Sequence, residues 1–238
     1  MRPAGFWRRS AAWSLDAALG ALPVLVLCRN ALPAAFADLA GAWSALVDAV
    51  AQRMAAAIMA TGPDAAPDPA ALLSLARDSM RDPALLAASA ELHSALFALA
   101  GPPLAAFVAL FFLWSTGFER SQLRATPGKR ALGLRVVAVG GGDPGTAAVL
   151  LRFAAGALSW LSLNIGHMLA AIPPAYAALH DRISRTRVVL AADAAERMPR
   201  WAVAWLMLVV AALLLATAWA SVAMGAAMQA ALDRALWG

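Results

Sequence analysis

At 238 residues, 62% hydrophobic and 14% charged, with a mean hydropathy of +0.69, the chain is too apolar for an ordinary soluble domain. Its net charge of +5 comes almost wholly from arginines beside apolar runs rather than along an aromatic-studded groove, which points to membrane sidedness and away from nucleic acid. Cys28 is the single cysteine, and His93, His167 and His180 are scattered, so neither a disulfide framework nor a metal-ligand spacing is present in the sequence.

Met1–Arg9 carries Arg2, Arg8 and Arg9 beside Phe6 and Trp7. Ser10–Leu27 follows, 18 residues with one charge, Asp16, long enough to cross most of a ~30 Å hydrocarbon core. A cleaved signal is the competing reading, since Ala35-Phe36-Ala37 fits a small-x-small site; the length of the run and its internal aspartate favour a first membrane helix over residues 1–30. A carboxylate at that depth is costly and implies a partner. Arg9 lies seven residues earlier on the same helical face.

Residues 31–91 differ in character, with seven acidic residues against Arg53, Arg77 and Arg81. Phe36, Leu39, Trp43, Leu46, Val50 and Met54 recur at three- and four-residue steps and predict an amphipathic helix over about 34–60. A loop is expected over 61–69, a second helix over 70–79, and a third opened by Asp82-Pro83. This acidic region reads as an extracytoplasmic helical insert whose apolar stripe serves packing or a partner.

A second spanning segment covers about 92–118, with Gly101-Pro102-Pro103 expected to kink or restart it. The segment 115–147 then holds Arg120, Arg124, Lys129, Arg130 and Arg135 against two acids, which assigns it to the cytoplasm. After a Pro-Gly turn, Arg135–Val139 reads as a strand stopped by Gly140-Gly141-Gly142. Residues 147–178 are expected to dip into the membrane as two short helices joined near Asn164-Ile165-Gly166. A single pass there would move five arginines of 179–200 to the outer side. Both basic pieces then lie on one side, and Arg135–Val139 and Thr186–Leu190 can pair as a two-stranded ribbon. Arg200–Met224 is the last expected span, anchored by Trp201, Trp205 and Trp219, with 225–238 a tail outside. The predicted class is an all-α membrane protein: a small helical bundle with a short cytoplasmic two-stranded β ribbon.

These pieces resemble the RDD family of bacterial membrane proteins, named for one arginine and two aspartates. The resemblance rests on Arg9-x-x-Ala12-x-x-x-Asp16, on Thr126-x-Gly128-Lys129-Arg130-x-x-Gly133-Leu134-x-Val136-Val137, on Arg152, and on Leu179-His180-Asp181 with Thr186-x-Val188-Val189. It covers about 1–30 and 93–192; the 31–91 insert and the helix within 193–238 lie outside it, and Arg182 and Arg185 add charge where the family usually has small or apolar residues. By resemblance the name-giving residues map to Arg9, Asp16 and Asp181, supported by Thr126, Gly128, Lys129, Gly133, Arg152, His180 and Thr186. Most members have no assigned activity; transport has been suggested, and cation/proton exchange is associated with at least one branch.

Two readings of Arg9, Asp16 and Asp181 stand side by side. Two carboxylates sharing one arginine leave excess negative charge that suits a cation or proton, which implies transport in the cytoplasmic membrane with the N-terminus inside. The same residues also suit a structural tether, with the insert binding a membrane-protein partner or a second copy. No catalytic residue, cofactor or metal is expected: Gly140-Gly141-Gly142 lacks the Lys-Ser/Thr of a phosphate loop, and His180 and Asp181 are sequence neighbours, a poor geometry for a catalytic dyad. An enzyme is not expected.

Overall fold

The computed structural model describes residues 2–61 and 69–238. In chain order the elements are α1 (Phe6–Cys28), α2 (Leu32–Thr61), α3 (Pro69–Ser79), α4 (Pro83–Arg120), α5 (Pro127–Ala131), β1 (Leu134–Ala138), α6 (Gly145–Leu161), α7 (Ile165–Met168), a 3-10 turn at Leu169–Ala171, α8 (Leu179–Ile183), β2 (Thr186–Leu190) and α9 (Arg200–Trp237). Among the described residues four helices, α1, α2, α4 and α9, are long and apolar enough to cross a membrane. Most of the loop expected over 61–69 falls outside the described residues.

The contacts divide the chain into two units. One takes in the chain up to Val26 and Ala105–Ala211; the other is Leu27–Leu104 with Ala212–Gly238.

The first unit is built on the ribbon. β1 and β2 pair antiparallel, with Leu134 opposite Leu190, Val136 opposite Val188 and Ala138 opposite Thr186. Because alternate strand residues face opposite ways, Leu134, Val136 and Val188 fall on one face. That face packs on Ala4, Ala11 and Ala12 of the N-terminal segment and α1, and on Ala202 of α9. The free edge of β2 is covered by the N-terminal segment: Pro3 bridges Val189, Ala4 N donates to Val188 O at 3.0 Å, and Leu190 N donates to Arg2 O at 2.9 Å. The Val188–Leu190 end of that edge is therefore closed to another strand.

Helix α1 buries Arg8, Ala12, Asp16, Gly20 and Val24, a stripe at four-residue steps that puts one face against the rest of this unit. Trp13 lies 6.5 Å from Phe111 of α4 and 5.4 Å from Trp160 of α6. Arg8 donates from Nη2 to Ala195 O at 2.8 Å and to Arg197 O at 3.0 Å, fixing the segment that leads into α9.

Between the strands, α6 and α7 are bent by 114° at a short break where Leu163 and Asn164 adopt positive φ. The chain therefore leaves β1, turns back through α7 and α8, and returns to β2 beside its starting point. The stretch between the strands is thus two helices joined at 162–164, slightly before the expected joint at Asn164–Gly166.

The second unit holds α2, α3, the first part of α4 and the end of α9. Val47 and Ala51 of α2 pack with Ala231 of α9, flanked by Trp43, Met228 and Leu232. Asp82 caps α4 by accepting from Ala84 N at 2.8 Å and Leu85 N at 3.3 Å, and it also pairs with Arg53. Arg234 meets Asp48 at 2.7 Å.

Three helix boundaries differ from the sequence expectations. α4 is one helix from Pro83 to Arg120, merging the helix opened by Asp82-Pro83 with the span expected over 92–118, and it runs through Pro102 and Pro103 without restarting. α9 runs to Trp237 and absorbs the expected tail, since 225–237 is made mostly of Ala, Met, Leu and other helix formers without a proline. α2, read as part of an insert outside the membrane, is itself long and apolar enough to be a candidate span.

Candidate functional site

The family resemblance implied one cluster of Arg9, Asp16 and Asp181. The structure makes two sites, both within the first unit.

At the first site, Asp181 of α8 is fully buried and lies between two guanidinium groups. Arg9 Nη2 is 2.6 Å from its Oδ2, and Arg152 of α6 bonds its Oδ1. Asp181 Oδ2 also accepts from Ala178 N at 2.8 Å, which caps α8. Arg9 Nη1 donates to Tyr176 O at 2.9 Å. Arg152 donates from Nη1 to Thr186 Oγ1 at 2.9 Å, and its Nε lies 3.4 Å from Glu119 Oε2 at the end of α4. Glu119, itself buried, takes Lys129 of α5 on its other oxygen. One connected network thus joins α1, α4, α5, α6, α8 and β2.

Glu119 is the residue the sequence reading missed. Its available signal was a carboxylate at the end of an apolar helix, ten positions before the lone lysine. It also changes the arithmetic of the cluster. Arg9, Lys129 and Arg152 supply +3 against −2 from Glu119 and Asp181, so the network is formally +1 rather than negative.

His180 borders this network, with Nε2 at 3.5 Å from both Arg9 Nη2 and Asp181 Oδ1. Burial, reinforced by Arg152, pushes its pKa well below the ordinary histidine value, against the opposing pull of Asp181. Burial alone would raise the Asp181 carboxyl, but Arg152 and then Arg9 outweigh it and hold that group below the usual carboxylate range. The pH consequence follows from the signs. Unfolded His180 takes up a proton below about pH 6.5 while the folded, neutral form does not, so stability falls as pH drops below that value. Asp181 stability is present above the unfolded carboxyl pKa of about 3.9 and is lost as pH falls below it. Melting temperature measured from pH 8 to 3 is expected to fall in two stages, and His180→Gln is expected to shrink the upper one.

At the second site, Asp16 of α1 accepts from Gly128 N at 2.7 Å, from the Thr126 hydroxyl, and from Trp114 Nε1 at 3.4 Å. Thr126 and Gly128 belong to the first turn of α5, so Asp16 caps that turn from another helix. Asp16 is buried and makes no ion pair among the described residues. Gly128 is demanded by this approach: a Cβ there would collide with Ala12 O and sit 2.9 Å from Asp16 Cγ. Gly128→Ala is expected to separate α5 from α1 and destabilise the protein by about 1–3 kcal/mol, read from unfolding in detergent. Gly133 is required for a second reason. Its φ is +65°, and a Cβ would lie 2.5 Å from Ala194 Cβ where the chain enters β1.

Of the motif residues, the structure brings Arg9, Asp181, Arg152, Lys129, His180 and Thr186 together, and separately Asp16 with Thr126 and Gly128. Gly133 shapes the turn into the ribbon and touches neither carboxylate.

The family model described as RDD family matches residues 71–185. The match contains Glu119, Thr126, Gly128, Lys129, Arg152 and Asp181; Arg9 and Asp16 precede it and meet it in space. No curated protein and no solved structure showed a significant match.

Proposed function

We propose, from the match of residues 71–185 to the model of the RDD family of membrane proteins, that the chain is an assembly protein of the bacterial cytoplasmic membrane. In this reading the Arg9–Asp181–Arg152–Glu119–Lys129 network is a structural clasp, and the helices of 31–91 meet a membrane-protein partner. The N-terminus lies inside, because Arg2, Arg8 and Arg9 share the first unit with the basic residues around the ribbon. A single added crossing by α2 would put Arg9 and Arg120 on opposite sides of the bilayer, so α2 and α3 serve the outer side.

One observation carries the clasp: every carboxylate oxygen of the network already faces a cationic donor. Asp181 is held by Arg9 and Arg152, Glu119 by Lys129 and Arg152, and the total is positive. A further cation would enter a site whose formal charge is already positive. The partner surface is supported by Phe36 and Leu73, 57% and 73% exposed, whereas Trp43 packs against Val47 and Ala51 and is less available than its place in the stripe suggested.

A second reading rests on Asp16. A buried carboxylate inside a candidate span with no ion-pair partner among the described residues is the kind of group that marks ion pathways, which favours cation/proton or small-solute transport with Asp16, rather than the cluster, as carrier. Flux in proteoliposomes with pH and cation reporters separates the two. The assembly reading expects no flux that depends on Asp16 and a partner whose co-purification weakens in Phe36→Ala. Flux in the parent that disappears in a well-folded Asp16→Asn variant would replace it with transport.

A further inference from the structure

Beside the second site, the end of α4 and the α5 turn enclose a groove. Its head end, about 470 Å³, is lined by Phe118, Leu123, Ala125, Pro127, Arg130 and Ala131. An adjoining depression of similar size shares Phe118 and Leu123 and continues past Gly117 and Trp114 to Leu113. Trp114 and Phe118 stand edge to face at 4.9 Å, and Trp114 is tied to Asp16, so the floor is a braced aromatic pair.

The two ends differ in chemistry. The far end lies along an apolar helix long enough to span the bilayer, with Leu113 64% exposed. The head end lies beyond Arg120, where the chain becomes basic. There Lys129 is engaged by Glu119 and Arg120 by Asp143 at 2.8 Å, but the exposed Arg130 guanidinium makes no hydrogen bond or ion pair among the described residues. An apolar trough opening at its interfacial end on an unpaired arginine matches an amphiphile with an anionic head.

We propose that this groove is a binding site for one anionic phospholipid, with the phosphate on Arg130 and an acyl chain along Leu123, Phe118 and Trp114. A soluble anion would engage Arg130 and leave the apolar trough unused. A neutral lipid would fill the trough and leave Arg130 unpaired.

Two substitutions probe the two ends. Arg130→Gln removes the charge from a side chain that ties nothing else together. Gly117→Leu fills the trough, and a Cβ at Gly117 has no atom within 4 Å, so the side chain leaves the helix into open space. The full-length protein, stripped of lipid in detergent, would be titrated with phosphatidylglycerol, with phosphatidylcholine of the same chains, and with inorganic phosphate. Melting temperature and lipid retained in native mass spectrometry would be followed. One phosphatidylglycerol is expected per chain, bound about tenfold more weakly by each variant, as fits loss of one charge-assisted contact or of the trough. Both variants are expected to melt with the parent in phosphatidylcholine. Equal retention of the two lipids, phosphatidylglycerol binding untouched by Arg130→Gln or by Gly117→Leu, or a thermal shift reproduced by inorganic phosphate alone would each overturn the proposal.

Discussion

Asp181→Asn is expected to destabilise the protein by about 3–5 kcal/mol, the range for breaking a buried ion network by removing one partner. The reason is what stays behind. Arg9 and Arg152 both converge on this carboxylate, and with it gone two buried guanidinium groups face each other without the anion that separated them. The substituted amide would keep the size and one acceptor oxygen, so capping of α8 through Ala178 N is partly retained and the loss reports on charge. Unfolding in detergent, followed by tryptophan emission and by size exclusion, measures it. The penalty is expected to shrink when Arg9 is also neutralised, because the double variant strands one buried cation instead of two. Arg152→Lys is expected to behave as a loss as well: a point ammonium does not reproduce a fork that meets Glu119, Asp181 and Thr186 at once.

Asp16→Ala is expected to have the second largest effect, even though it makes α1 more apolar and so easier to insert. The carboxylate accepts from Gly128 N, the Thr126 hydroxyl and Trp114 Nε1, and deletion leaves the first two donors buried without an acceptor. Each unsatisfied buried donor costs about 1–3 kcal/mol, with the sum reduced by relaxation and entering water. Asp16→Asn, which keeps one acceptor oxygen, is expected to cost clearly less, which makes it the suitable variant for flux. Yield in the membrane is expected to be preserved for Asp16→Ala while its melting temperature falls; loss of insertion together with unchanged stability of what is inserted would contradict the capping role.

The ribbon was legible because β-branched residues flanked by arginine and glycine recur at Arg135–Val139 and Thr186–Leu190, and charge sidedness forced the chain between them to return. The fold class followed from this ribbon together with the long apolar runs that mark the candidate spans. The single charge cluster did not. Seven residues bring Arg9 and Asp16 to one face of α1, but they also separate them by about 10.5 Å along its axis, since each residue rises about 1.5 Å. Arg9 therefore stands at the level of α8 and Asp16 at the level of α5. Periodicity reports the face of a helix and is silent about depth. Glu119 was hidden for a related reason: a carboxylate beside Arg120 at a helix end looks like solvated surface until α6 brings Arg152 to it. The lengths of α4 and α9 were understated because 83–91 was assigned to the acidic insert and 225–238 to a tail, while continuous helix-forming sequence carries both helices through.

The most direct test of the clasp is a double-mutant cycle between Arg152 and Asp181, with Arg152→Met, Asp181→Asn and the pair, each measured by unfolding in the same detergent. The account predicts that both single variants are strongly destabilised and that the pair is more stable than their sum by at least about 1 kcal/mol, the mark of directly coupled residues. Additive effects, or an Asp181→Asn protein that melts with the parent, would contradict it.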